Sequence, residues 1–186
     1  MERFFLKRDK KDCNTRLLYE ECHRFLYGTS LRILNNSMDA EEIMHDTIIK
    51  YLETKQEFES RENRNAWMRR VCINLSIDKL RKKRLVIDSL EEFDLQRNII
   101  EQECENDDDF NYNGVTVEMV KDAMSCLPDG YRLILSLHLF EGMDYEEIAQ
   151  ITSLKQTSIR SQYLRGKSKL MKDLTEKVKN DRNGQS

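Results

Sequence analysis

The stretch Asp144–Lys172, DYEEIAQITSLKQTSIRSQYLRGKSKLMK, decides how this chain is read. Asp144 followed three residues later by Glu147 is a helix-start pair, because each side chain can satisfy a free backbone N–H of the first turn. Ile148, Ala149 and Ile151 give that short helix one apolar side, and Ala149 is small where a second helix must cross closely. Thr152, Ser153 and Leu154 predict a turn. A longer helix is expected from about Lys155 to Lys172. Ile159, Tyr163, Leu170 and Leu174 fall on its inner side, and Lys155, Arg160, Arg165, Lys167, Lys169 and Lys172 crowd the remainder. A scaffold helix, a turn and a basic helix form the layout of a helix-turn-helix, whose second helix enters the major groove of DNA. An ordinary helical hairpin with a solvated basic face has the same pattern, so the spacing alone leaves both readings open.

Working outward, the 186 residues suffice for one medium domain or two small ones. Charged residues make up 35%, with one proline and six glycines, which favours an all-α fold. No apolar run reaches the roughly 18 residues that span a bilayer. The start, MERFFLKRDKKDC, has no apolar signal core. A cytoplasmic protein without stable membrane insertion is expected. The five cysteines have no C-x-x-C spacing and are expected as reduced thiols, and the three histidines are scattered. No metal and no cofactor is expected.

The net charge of −3 conceals a segregation. Residues 85–114 hold ten acids and one base, 60–84 nine bases and two acids, and 155–179 eight bases and two acids. Basic clusters of this kind are the footprint of phosphate binding. The acidic segment has the composition of a linker. The expected organisation is therefore two small helical domains, 1–84 and 115–179, joined by an acidic linker at 85–114. Residues 180–186 are expected to be a disordered tail, and 1–14 to be frayed.

In the first domain, helical periodicity predicts a helix over 15–34, interrupted near Gly28, and a second over 39–53 started by Asp39 and Glu42. Ile43, Met44, Ile48, Tyr51 and Leu52 form the second helix's buried side. A polar loop at 54–63 carries Phe58. A third helix, 65–84, has apolar strips around Trp67 and Ile73. Between them runs a polar stripe, Arg70, Asn74, Asp78 and Arg81, on a helix that ends in RKKR. That stripe suits groove or phosphate contact, and equally a seam facing solvent. In the second domain, helices are expected at 115–127 and 131–141, with Leu139 and Phe140 in the mostly buried set and Gly142 as a left-handed stop.

Taken together, these residues resemble the extracytoplasmic-function (ECF) sigma factors of bacterial RNA polymerase. The resemblance rests on Asp39-Ala-Glu-Glu-Ile-Met-His-Asp-Thr, on Phe58 to Trp67 with Arg70, Val71, Asn74, Leu75, Asp78 and Leu80 to Arg84, and on Leu127-Pro128, Tyr131-Arg132, Glu141-Gly142, Tyr145-Glu-Glu-Ile-Ala and Ile159-Arg160-Ser161 with Arg165 and Leu170. It implies a protein without catalysis of its own that binds core polymerase and directs it to promoters. The helix at 39–53 would dock on the polymerase, with Asp39, Glu42 and Asp46 facing basic residues, Ile43 and Thr47 packing, and Lys50 beside them. The −10 element would be engaged by Arg61, Asn63, Arg64, Asn65, Arg70, Asn74, Arg81, Lys82, Lys83 and Arg84, with a flipped base held in the loop 59–64. The −35 element would be read by Lys155, Gln156, Thr157, Arg160 and Ser161, with Arg165 and Lys167 on phosphates. The linker would run through the polymerase's RNA channels. An anti-sigma factor is the further partner implied, and the free protein is expected to be a monomer.

This sequence departs from the family at His45, where glutamine is frequent, and at Ser153 and Thr157, where glycine is common. Gln162 stands where a basic residue is usual. Two other classes compete. A stand-alone helix-turn-helix regulator would use residues 115–179 alone and leaves the acidic helix at 39–53 unexplained. A metal-dependent nuclease would use Asp107 to Asp109, which have neither a second convergent ligand set nor a glycine-rich phosphate loop.

Overall fold

The computed structural model describes the backbone of residues 2–54, 56–86 and 114–183, and side chains within 15–83 and 114–180. Among the described residues all regular structure is helical: α1 (Glu2–Leu34), α2 (Ser37–Glu53), α3 (Arg61–Val86), α4 (Val117–Ser125), α5 (Asp129–Leu135), α6 (Tyr145–Thr152) and α7 (Gln156–Asn183), with a π-helical segment, Ser136–Phe140, continuing α5. Contacts divide the chain into two compact units, 1–79 and 80–186. The expected acidic linker lies outside the described residues over 87–113.

In the first unit α1 is one continuous helix from Glu2, neither frayed through residue 14 nor broken at Gly28. It crosses α2 through small side chains: Thr29, Ser30 and Ala40 are all buried. The Ser30 hydroxyl lies 3.0 Å from both the Leu26 and the Ala40 carbonyls, so a polar group sits in the crossing without losing its hydrogen bond. Asn36, not Asp39, caps α2; its side chain accepts from the Asp39 N–H at 2.9 Å. Asn35, at φ 51°, makes the tight turn that starts the helix two residues early. Leu26, Ile33, Met44, Met68, Ile73 and Ile77 fill the core. Leu52, expected inside, is exposed.

The second unit packs α7 against α4 and α5 around Ala123, Met124, Leu127, Leu135, Leu170 and Leu174. Thr116 caps α4, which is shorter than the periodicity predicts, and Val117 is exposed. Arg132 is buried, and its guanidinium donates to the Leu127 carbonyl at 2.6 Å and to Asp129, clamping the turn around Pro128. The π segment is closed by the Glu141 N–H on the Ser136 carbonyl. The wider turn re-aims the residues after it, and leaves Leu139 and Phe140 exposed. Gly142 stops the segment at φ 70°. α7 continues to Asn183, past the expected end of the helix and into the expected tail.

Candidate nucleic-acid interface

The helix-turn-helix stands as the opening stretch implies. Asp144 accepts from the Glu147 N–H at 2.8 Å, and Glu147 accepts from the Asp144 N–H at 3.0 Å, a complete capping box. α6 ends at Ser153, which is left-handed at φ 60° and ψ 22°. Buried Ile148 and Ile159 tie α6 and α7 to the core. Gly166 lets α7 lie close on α5: a β-carbon there would stand 3.0 Å from Tyr131 Cβ. Lys155 precedes α7 and accepts the first helical hydrogen bond from Ile159. Lys155, Gln156, Thr157, Arg160 and Ser161 are exposed on the first turns, the end that meets base edges in such motifs. Arg165 and Lys167 are half-buried further along.

Sequence reasoning missed the aromatic junction behind this helix. His138 of the π segment donates through Nδ1 to the Met143 carbonyl at 2.7 Å, and its ring meets Tyr145 at 5.0 Å and the edge of Tyr163 at 4.9 Å. Burial raises the Tyr145 phenol above its ordinary range. The junction joins residues of three different elements, His138, Tyr145 and Tyr163, and no local pattern announces it.

On α3, the stripe Arg70, Asn74, Asp78 and Arg81 is exposed, as are Lys82 and Lys83. The side chain of Arg84 lies outside the described residues. The helix begins at Arg61, so Arg61, Asn63 and Arg64 belong to its first turns and the loop ends at Ser60, whose hydroxyl accepts from the Asn63 N–H. Two of the expected −10 residues turn inward. Arg64, 13% exposed, donates to Asn65 Oδ1 through Nε and Nη2 and to Glu21 of α1 at 2.9 Å. Asn65 also takes a long contact from the Cys22 thiol. Arg61, 66% exposed, shares Glu21 at 2.6 Å. The Arg64 hydrogen bond, with both guanidinium charges, holds the Glu21 carboxyl below its usual range. Glu21 was not singled out in the sequence because its partners lie forty residues away.

On α2, Ile43 and Thr47 are buried in the unit's own core, where the Thr47 hydroxyl donates to the Ile43 carbonyl. Neither is exposed in this unit, so the packing role on the polymerase expected of them is not on the outward face of α2. Asp39 and Glu42 both meet Lys79 of α3, at 3.4 and 2.7 Å. That pairing, Glu42 foremost, keeps the Lys79 ammonium charged to higher pH than usual. Asp46 is half-buried and Lys50 exposed. The outward face of α2 carries Met38 (80% exposed), Glu41, His45, Ile49 (50%) and Leu52 (47%), at helical spacing.

No cluster of His, Cys, Asp or Glu among the described residues could hold a metal ion, and no described helix is long and apolar enough to cross a membrane.

Comparison with known proteins agrees with this geometry. The Sigma-70 region 2 family matches residues 18–86, and Sigma-70, region 4 matches 118–170. The chain is 27% identical over 146 residues to the ECF RNA polymerase sigma factor SigE of Mycolicibacterium smegmatis, covering 78% of this chain and 55% of that protein. It thus spans about half the length of that relative. It is 26% identical to the RNA polymerase sigma factor SigV of Bacillus subtilis, covering 84% and 90% of the two chains, and 23% identical to ECF RNA polymerase sigma factor SigW of the same organism, covering 80% and 82%. In structure it resembles the sigma factor RpoE of Bartonella quintana, solved in complex with the anti-sigma factor NepR, with a TM-score of 0.54, 21% identity, and coverage of 87% and 97%. With the two regions matched in order on two helical units, the second a capped helix-turn-helix, the chain belongs to the ECF sigma factors of bacterial RNA polymerase.

Proposed function

We propose that this chain binds core RNA polymerase and directs it to promoters bearing −10 and −35 elements, using three separate helix faces. The observation that carries this reading is the first two turns of α7. Lys155, Gln156, Thr157, Arg160 and Ser161 are exposed there together while Ile159 is fully buried beneath them. A helix anchored on one side and polar on the other is what major-groove reading requires. The exposed stripe of α3, from Arg70 to Lys83, would take the −10 region; its arginines and lysines suit phosphates, and Asn74 a base edge. Arg64 and Asn65 would act from behind, by holding the first turn of α3 in place.

The outward face of α2 would dock on the polymerase through Met38, His45, Ile49 and Leu52 with Glu41, Glu42 and Asp46. Exposed apolar side chains ringed by charge are the composition of a protein interface. An anti-sigma factor would hold the protein inactive, as one is bound by the Bartonella relative, and the protein would act in the cytoplasm as a monomer when free of polymerase.

Run-off transcription with purified core polymerase, with and without the chain, on a fragmented genomic library tests this. New discrete start sites only in its presence are expected, and their upstream sequences define both elements. Absence of initiation together with a tight operator complex formed without polymerase would replace this reading with a stand-alone regulator.

A further inference from the structure

The outward face of α2 carries His45, and that ring is held from behind by α1. It stacks on Tyr19, with ring centroids 6.1 Å apart and planes 17° from parallel. Tyr19 stacks in turn on His23, one turn further along α1, at 5.1 Å and 4°. His23 Nδ1 donates to the Tyr19 carbonyl at 2.9 Å, which fixes that end of the ladder. Exposure rises along it: His23 is half-buried, Tyr19 is 38% exposed and His45 is exposed. The ladder therefore presents one histidine in a set place on the docking face, one turn before Ile49 and two turns after Met38.

Histidine is the side chain whose charge ordinarily changes between about pH 5 and 8. The groups around His45 decide what that charge does. On α2, Glu41 lies one turn before it and Glu42 three residues before it, the spacings at which helical side chains are neighbours, and Asp46 follows it directly. Glu42 already meets Lys79 of α3 at 2.7 Å. On α1, beyond Tyr19 and His23, Glu20 already meets Arg16 at 3.1 Å. Exposed Glu41 is thus the carboxylate best placed to favour a proton on His45 in the free chain.

We propose that His45 makes docking on α2 sensitive to pH: the chain docks on the polymerase with His45 neutral, and a proton on His45 opposes docking. The inference rests on the reading of α2 as the docking helix and names a regulation of that same face. Two effects of docking act in one direction. An acidic face recruits basic groups of its partner, and a partner cation competes with the His45 proton for Glu41. Contact over Met38 and Ile49 also strips water from the ring, which disfavours its charged form. Because the docked state then binds the proton less readily than the free chain, affinity is full above the histidine range and is lost as pH falls through it.

Affinity of the full chain for purified core polymerase is measured by fluorescence anisotropy from about pH 8 to about pH 5.5 at constant ionic strength. Wild type, His45→Gln, His45→Lys and His23→Gln are compared, each referred to its own affinity at the highest pH. The wild type and His23→Gln are expected to lose about tenfold in affinity across the range, and His45→Gln less than about twofold. His45→Lys, charged throughout, is expected to bind weakly at every pH. Thermal unfolding of the free chains over the same range is expected to be alike for wild type and His45→Gln. A wild type without a slope, a slope that His45→Gln retains, tighter binding at low pH, or a slope that follows unfolding of the free chain would each overturn the switch while leaving docking on α2 intact. Failure of the wild-type chain to bind polymerase at any pH would overturn the docking reading and the switch with it.

Discussion

Gly166 of α7 and Tyr131 of α5 approach so closely that a β-carbon on Gly166 would lie 3.0 Å from Tyr131 Cβ. The nearest atom is fixed to the α5 backbone and cannot swing away, and Leu135 Cδ1 closes the other side at 3.1 Å. Alanine in place of a helical glycine ordinarily gains about 1 kcal/mol. Here overpacking of about 1–3 kcal/mol outweighs that gain. Gly166→Ala should therefore lower the stability of the second unit by about 1 kcal/mol, and Gly166→Val by more, in chemical denaturation.

Ser153 holds a left-handed conformation that costs a non-glycine residue about 1–2 kcal/mol. Ser153→Gly removes that strain at the exposed turn of the helix-turn-helix, so a gain of about 1 kcal/mol is expected. The opposite change, Asp144→Ala, removes the capping box at the start of α6 and should cost about 1 kcal/mol. Thermal unfolding of the two variants should move in opposite directions.

Glu21 gives a signed pH dependence. Its folded pKa lies below the unfolded value of about 4.3, so its pairing with Arg64 and Arg61 stabilises the protein fully above that value. The contribution fades as pH falls through the depressed folded value. Glu21→Gln should lower stability near neutral pH and lose less than wild type between neutrality and strongly acid solution. Parallel stability curves with the same acid slope would contradict the assignment.

Asp46→Arg should weaken polymerase binding at least tenfold without unfolding the first unit, as read by fluorescence titration with core polymerase. Unchanged affinity would remove Asp46 from the docking face.

Arg160→Ala should leave polymerase binding intact and reduce initiation from −35-dependent promoters about tenfold or more, the range of one arginine–guanine pair. Promoter competition assays with altered −35 elements would then show relaxed preference at one position.

Local chemistry was legible without coordinates wherever a short stretch contained its own partners. The pair Asp144 and Glu147, the stop at Gly142 and the polar stripe of α3 all follow from spacings of three or four residues, because one helical turn brings those groups together. The resemblance to sigma factors rested on the same kind of short, contiguous pattern. What periodicity could not supply was direction when both faces of a helix carry apolar residues. On α2, Ile43 and Leu52 both read as buried in sequence, and only the packing of the unit buries the first, together with Thr47, and leaves the second exposed beside Ile49. Charge partners were equally invisible: Glu21 meets Arg61 and Arg64, and Lys79 meets Asp39 and Glu42, across about forty residues. The sequence by itself determined the all-helical make-up, the capping box at Asp144 and Glu147, the stop at Gly142 and the family resemblance. Tertiary structure alone decided which side of each helix meets solvent, which charges are already paired, and that Gly166 is a close contact between α7 and α5, because those outcomes depend on distances between segments that no local spacing encodes.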